Sequence, residues 1–380
     1  MTFSSLGLAD PLLKAVEEQQ YTRPYPIQQQ AIPAILRGRD IFGIAKTGTG
    51  KTAAYVLPIL QMLLRHDLQR NRAVKALVLV PTRELAVQVA EVFDALSAHM
   101  PRRVKTVPVY GGVSINPQQI ALRNAEIVVA TPGRLIDLLE NNALRISTIE
   151  MLVLDEADKM LDLGFAEEMA WIFNRVPQTR QTLLFSATLK DTIQEINDKM
   201  LHGAVKIEIE EEEANLEQIR QLAYRVSAEQ KGPFLRYLIK KEDMKQVLVF
   251  VSSTRTADNV VGKLVKNGIQ ALAIHGQKTQ GGRLEALRQF KSGKLTVLVA
   301  TDLLARGIDI EELPYVINYE LPRSPKDYIH RIGRTGRAEA VGTAISLITP
   351  DDEHHFRVIQ KKMKKRVDLL ETTDTDLQGY

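Results

Sequence analysis

Along this chain, short runs of consecutive apolar residues alternate with longer stretches whose apolar positions recur at helical spacing. The runs at 41–45, 76–80, 107–110, 127–130, 151–154 and 182–185 occupy the first half. Those at 247–251, 271–274, 297–300, 315–319 and 343–347 occupy the second. Apolar runs without alternation predict strands buried on both faces, as in parallel sheets. Strands alternating with helices imply right-handed crossovers, with helices covering each sheet. The pattern therefore predicts an α/β chain with two lobes, 1–208 and 219–380, each a parallel sheet flanked by helices. Between them, 209–218 reads as a short acidic linker, because Glu208-Ile209-Glu210-Glu211-Glu212-Glu213-Ala214-Asn215 is a like-charge block that resists packing. A solvated helix start fits the same block, and the boundary holds under either reading.

Length agrees with two lobes, since 380 residues exceed the size at which single cores stop growing. Hydrophobic content of 44% and charged content of 25% are ordinary globular values. The formal charge is only +4, a weak pointer to a polyanionic partner. There is no cysteine, which excludes disulfides, thiolate metal sites and cysteine nucleophiles. No stretch approaches ~20 apolar residues, and the start has neither a basic segment nor a long apolar one. A soluble, cytoplasmic chain is the expectation.

The chemistry gathers around two apolar runs. Met151-Leu152-Val153-Leu154 leads directly into Asp155-Glu156-Ala157-Asp158, three carboxylates in four residues. Carboxylates at the carboxyl edge of a parallel sheet sit where ligands bind, and crowded acids call for a cation. Upstream, 41–45 leads into Ala45-Lys46-Thr47-Gly48-Thr49-Gly50-Lys51-Thr52, a P-loop in all but its first glycine, which is Ala45. Gly48 and Gly50 let backbone N–H groups wrap phosphate oxygens, and the helix that follows adds its positive end. Lys51 supplies charge to the outer phosphates, and Thr52 offers a hydroxyl to magnesium. Asp155 suits the second magnesium anchor, through water, and Glu156 suits the group that positions or deprotonates the attacking water. ATP and Mg²⁺ are thus the expected cofactors. A glycine-rich turn beside a solvated acidic loop is the bland alternative.

In the second half, His330-Arg331-Ile332-Gly333-Arg334-Thr335-Gly336-Arg337 packs three arginines into eight positions. An arginine brought to a P-loop contributes ~10³–10⁵ in rate. A basic solvated helix is the alternative, against which the two glycines argue. Gly112, Thr131, Gly133 and Ser253 are small residues following or ending predicted strands, where N–H and hydroxyl groups suit phosphate oxygens. Arg83, Arg134 and Arg283 add charge. The basic run Lys361-Lys362-Met363-Lys364-Lys365-Arg366 reads either as a remnant of affinity for a polyanion or as the polar face of a last helix.

These residues together resemble the DEAD-box ATP-dependent RNA helicases of superfamily 2, whose signature is Asp155-Glu156-Ala157-Asp158. The resemblance runs in the family's order from Phe3 to about Leu347, and its wording is closest to the bacterial RhlE-like branch. It implies two RecA-like lobes, in which Phe3 stacks on adenine and Gln28 bonds it. Pro81, Thr82 and Arg83, Gly111 and Gly112, and Thr131, Pro132, Gly133 and Arg134 look like the family's first-lobe RNA contacts. Ser253, Arg283 and Thr301 look like contacts of the second lobe. Ser186, Ala187 and Thr188 resemble the motif that couples hydrolysis to strand separation, with Asp158 and His330 as further coupling residues. Arg334 and Arg337 are similar to the arginine fingers, and Asp309 would take the ribose. The chain departs from the family at Lys46, where Gln is usual, at Tyr25, where Thr is usual, and at Gln20, where Gly is common.

The resemblance implies an RNA-stimulated ATPase that unwinds short duplexes or remodels RNA–protein complexes by ATP- and RNA-driven closure of the lobes. RNA would be held through its sugar–phosphate backbone without base specificity, and ribosomal or RNA-decay proteins are candidate partners. A nucleotide-gated RNA clamp is the alternative from another class, and a DNA translocase a weaker third.

Overall fold

Seven parallel strands form the sheet of each half. In the first they are β1 (Ile41–Ile44), β2 (Ala76–Leu79), β3 (Thr106–Val109), β4 (Ile127–Ala130), β5 (Met151–Leu154), β6 (Gln181–Ser186) and β7 (Val205–Glu208). In the second they are β8 (Ile219–Arg225), β9 (Val247–Val251), β10 (Ala271–Ile274), β11 (Val297–Thr301), β12 (Tyr315–Asn318), β13 (Gly342–Ile348) and β14 (Leu369–Glu371). This computed structural model divides into two units, Met1–Glu211 and Glu212–Tyr380. It describes residues 1–45, 48–65, 73–189, 191–209, 219–302, 313–336, 342–372 and 375–380. The expectations for Lys46, Thr47, Asp309, Arg337 and the acidic stretch 210–218 lie outside the described residues.

The strand order is β3-β4-β2-β5-β6-β1-β7 in one unit and β10-β11-β9-β12-β13-β8-β14 in the other. Counted within each unit, both read 3-4-2-5-6-1-7. The two halves therefore share a topology, although no short-period repeat is visible in the sequence. Every pairing is parallel, so the carboxyl ends of all strands in a unit share one edge.

The unbroken apolar runs have a direct cause. Ala76 and Val78 point into one core of the first unit, while Leu77 and Leu79 point into the core on the opposite face. Val247, Val249 and Val251 in the second unit likewise face away from Leu248 and Phe250. A strand buried on both faces has no polar side to show.

Three strands fall outside the runs. β7 (Val-Lys-Ile-Glu) is an edge strand with only Ile207 buried, and Ile209 N continues its pairing by donating to Ile44 O at 3.0 Å, an ordinary ladder distance. The sheet of the first unit thus takes in Glu208, the first residue of the acidic block. β8 mixes buried Ile219 and Ala223 with Arg220, Gln221 and Arg225, and β14 is three residues long at the other edge.

The departure at Gln20 has a backbone meaning. Just past the helix Asp10–Glu18, Gln20 holds φ at 58°, a left-handed conformation that glycine enters without steric cost.

Candidate functional site

The nucleotide-binding candidates gather at the carboxyl end of β1. Ala45 N donates to Ser186 O at 2.9 Å, which keeps the chain paired until it leaves the sheet. Gly48 and Gly50 then take φ values of 78° and 79°, and the helix Lys51–Leu64 begins. Gly50 also allows a close approach: a Cβ there would stand 2.3 Å from Gln28 Nε2 and 2.8 Å from Tyr25 Cδ2. Gln28 Nε2 donates to Gly50 O at 2.9 Å, and Gln28 Oε1 accepts from Tyr25 N at 2.9 Å. The buried Gln28 side chain therefore ties the Pro24–Pro26 turn to the P-loop. Its amide keeps one N–H and one lone pair beyond these two bonds. Phe3 is buried, its ring centroid 6.3 Å from that of Tyr21.

Lys51 is buried and donates from Nζ to Ala45 O at 2.7 Å, so the ammonium folds back over the loop's own start. β1 and β5 are separated only by β6, which sets their carboxyl ends about 10 Å apart. Asp155 and Glu156 follow β5 directly and are both buried. Tyr55, one helical turn beyond Lys51, donates from its hydroxyl to Asp155 Oδ2 at 2.9 Å. Lys159 Nζ donates to Glu156 Oε1 at 2.6 Å. The other oxygens, Asp155 Oδ1 and Glu156 Oε2, are buried with no hydrogen-bond partner among the described residues. Glu156 itself has φ 52°, a left-handed conformation at the residue that precedes the helix Ala157–Asp162.

Burial pushes the Asp155 carboxyl above its usual range; Lys51 opposes this and the adjacent Glu156 reinforces it. Burial, and then the neighbouring Asp155 charge, holds the Tyr55 phenol well above its ordinary value, so it remains a donor. Lys51 and Lys159 balance the two carboxylates in charge, yet among the described residues Asp155 Oδ1 and Glu156 Oε2 keep buried lone pairs that no donor fills. That donor set fits a metal-bound polyphosphate. Among the described residues no group of three or more His, Asp or Glu could hold a metal by itself.

Asp158 meets the end of β6. Thr188 Oγ1 donates to Asp158 Oδ2 at 3.0 Å, and Ala187 N lies 3.5 Å from Oδ1. Ser186 Oγ donates to Thr188 O at 2.7 Å. Of the three residues expected to couple hydrolysis to motion, Thr188 and Ala187 thus reach the acidic segment directly, and Ser186 braces Thr188.

The RNA candidates of this unit lie on the same edge. Thr82 Oγ1 caps the helix Arg83–Leu96 by accepting from Leu85 N at 3.3 Å, with Pro81 buried before it. Gly112, with φ 73°, lies under the Arg83 guanidinium: a Cβ there would stand 1.9 Å from Nη1. Around Gly111 a Cβ would meet nothing. Thr131 precedes the helix Pro132–Glu140, which carries Gly133 and the buried Arg134. Arg134 Nη2 donates to Val113 O at 2.9 Å and Nε to Asp137 at 3.2 Å. Strand order sorts these loops: β3, β4 and β2 carry the RNA candidates, then β5, β6 and β1 the nucleotide and coupling candidates. The segment Asp155–Asp158 stands at the seam.

In the second unit, Ser253 Oγ caps the helix Thr254–Lys266 by accepting from Thr256 N at 3.0 Å. Thr301 ends β11, beside β9. Arg283 is buried and bonds Gln280 Oε1. The arginine-rich segment is helical only as far as Ile332, with Gly333 as its cap. His330 is exposed, Arg331 is buried within the helix, and Arg334 is buried beyond the break. Arg331, which the sequence offered only as one of three, is held on all sides: to Asp302 at 2.6 and 2.7 Å, Asn318 Oδ1 at 3.0 Å and Glu320 O at 2.6 Å. Its guanidinium also lies 4.9 Å from the Phe250 ring centroid. Tyr55 and Lys159 are neighbours of the nucleotide candidates that the motifs did not reveal; the helical spacing of Lys51 and Tyr55 is the signal that could have found the first.

Two α/β units of identical strand order, one with a P-loop and an acidic β5 end, define a tandem RecA-like nucleotide-binding chain. Residues 25–196 match the family described as DEAD/DEAH box helicase, and residues 230–339 match the helicase conserved C-terminal domain. The chain is 40% identical to the DEAD-box ATP-dependent RNA helicase CshA of Bacillus cereus, covering 100% of this chain and 71% of that one. It is 40% identical to RhpA of Helicobacter pylori, with 97% and 74% covered. Among solved structures, yeast Dbp5 bound to RNA and ADP BeF3 superposes with a TM-score of 0.83 at 32% identity, covering 98% of this chain and 96% of that one. The chain belongs to the DEAD-box ATP-dependent RNA helicases.

Proposed function

We propose that the chain hydrolyses ATP under stimulation by RNA and uses it to unwind short RNA duplexes locally or to remodel RNA–protein complexes. The observation that carries this reading is the cluster of Lys51, Asp155 and Glu156 with its unfilled buried carboxylate oxygens, set beside the Arg83–Gly112 and Thr131–Arg134 loops on one sheet edge. Thr52 and Asp155, the latter through water, would hold Mg²⁺, which needs few protein ligands when phosphates complete its shell. When bound, the ion neutralises charge developing on the outer phosphates.

Lys51 exchanges Ala45 O for phosphate oxygens, a gain in charge-assisted bonding. Backbone N–H groups of Gly48, Thr49, Gly50, Lys51 and Thr52 cradle the phosphates, together with Ala45, Lys46 and Thr47, and Phe3 and Gln28 take the base. Glu156 accepts the proton of the attacking water; its free Oε2 is the oxygen available for this, since Oε1 is engaged by Lys159. Asp309, Arg334 and Arg337 complete the nucleotide's surroundings once both units are liganded, and only ligands that favour that state bring it about. Asp158, Ser186, Ala187, Thr188 and His330 transmit the change to the RNA loops. The RNA is gripped through phosphate and sugar, with no base preference.

The relatives' names give the clamp reading no support. A place in the RhlE-like branch rests on motif wording, and a cytoplasmic location on where ATP and RNA are found together. Glu156→Gln tests the mechanism: ATP and RNA binding should survive while turnover disappears. Turnover at the parent rate in that variant would assign the proton to another group.

A further inference from the structure

The basic run near the chain's end has no part in the site described above. The helix Glu353–Met363 and the segment up to Leu369 contain six lysines and arginines and two acids, an excess of four. That equals the formal charge of the whole chain, +4, so the remaining 363 residues are balanced. The positive charge of this protein is concentrated here.

The segment is also shaped. It lines a cavity of about 560 Å³ whose walls carry five cations, Arg357, Lys361, Lys364, Lys365 and Arg366, against two carboxylates, Glu353 and Asp368. Lys364 closes the helix with φ 54°, which turns the chain back and brings Lys365 and Arg366 round to the same opening. Lys361 and Lys364 are exposed and have no ion-pair or hydrogen-bond partner through their side chains among the described residues. Arg357 and Arg366 are paired only loosely, to Glu353 at 3.8 Å and Asp368 at 3.3 Å, and both are largely exposed.

The groove is separate from the RNA candidates of the same unit. β14 stands four places from β9 in the sheet, about 19 Å away at ordinary strand spacing. Lys365 Nζ reaches Ile219 O at the first residue of β8, which places the groove toward the amino ends of the strands. Ser253 and Thr301 lie at the carboxyl ends. An RNA bound in the family motifs does not fill this groove unless it is long enough to run round the unit.

We propose that this groove is a second RNA-binding site, which holds the phosphate backbone of RNA lying beyond the segment engaged by the motifs. Its ligand is a polyanion, because the rim is cationic and its lysines are exposed. Lysine-rich point charges suit phosphate contact that is indifferent to base. RNA is favoured over an acidic protein segment because the proposed substrate is itself a polyanion present at every turnover, and to that extent the inference rests on the function proposed above. The site would retain a long substrate between cycles.

The test uses the full chain and a triple variant, Lys361→Gln, Lys364→Gln and Arg366→Gln, all at exposed positions. Binding to a short and a long unstructured RNA is measured by fluorescence anisotropy across a salt series, with ATP turnover at saturating short RNA alongside. Loss of three phosphate contacts should weaken long-RNA binding about 10- to 50-fold near physiological salt and flatten the salt slope by about 2. Turnover with short RNA should be unchanged. Long-RNA affinity and slope equal to the parent's would overturn the proposal, including the case in which the groove takes an acidic protein instead. If the parent shows no stimulation by short RNA, the function proposed above fails; the variant's long-RNA binding still decides this one.

Discussion

Replacing Arg331 by alanine separates a structural arginine from a catalytic one within a single motif. Arg331 is 2% exposed and makes two bonds to Asp302, one to the fully buried Asn318 and one to Glu320 O. Removing it orphans Asn318 Oδ1, at about 1–3 kcal/mol. The Asp302 pair contributes less than a fully buried one, because that carboxylate's side chain is 32% exposed and recovers water. With a cation–π contact of order 1 kcal/mol to Phe250, the expected loss is about 4 kcal/mol. At a urea dependence of about 2 kcal/mol per molar, the midpoint of the second unit falls by about 2 M. The two units can be followed apart, since the only tryptophan, Trp171, lies in the first. Far-UV circular dichroism should show an early transition that Trp171 fluorescence does not report. An unshifted dichroism curve, or an equal shift in both signals, would refute the assignment. Arg334→Ala should lower turnover by ~10³ or more.

Two further substitutions probe the first unit. Gly50→Ala forces a methyl group into φ 79° and against Gln28 Nε2, so it should break the Gln28–Gly50 bond and raise the KM for ATP severalfold, while a KM equal to the parent's would show that Gln28 does not position the loop. Asp155→Asn should stabilise the ligand-free first unit at neutral pH while removing magnesium-dependent nucleotide binding. The sign follows from the raised carboxyl pKa: stability from the protonated form is full at acid pH and is lost as pH rises through the folded value. Urea midpoints from Trp171 fluorescence should therefore fall with rising pH more steeply in the parent than in the variant, and a variant less stable at neutral pH would contradict the account.

What the sequence showed and what it hid have one cause. Strands buried on both faces, such as 151–154 and 247–251, must be apolar throughout, so they stand out as runs. β7 and β14 lie at sheet edges and β8 beside one, where one face or one end meets water, and their mixed residues conceal them. The nucleotide and RNA candidates were readable because loops at a sheet's carboxyl edge carry their chemistry in contiguous motifs. Their support was not. Tyr55 lies 100 residues from Asp155 in sequence, and Asn318 lies 13 from Arg331, so those bonds exist only once the strands are ordered. The identical strand order of the two units is likewise invisible in residues that share no repeat.

The central claim is that RNA on one part of the sheet edge governs ATP chemistry on the other. The most direct measurement is the rate of ATP hydrolysis by the full chain alone, with a generic single-stranded RNA, and with DNA of matched sequence. Strong stimulation by RNA and none by DNA is the predicted result. A rate indifferent to both nucleic acids would contradict the coupling, and with it the function proposed for this chain.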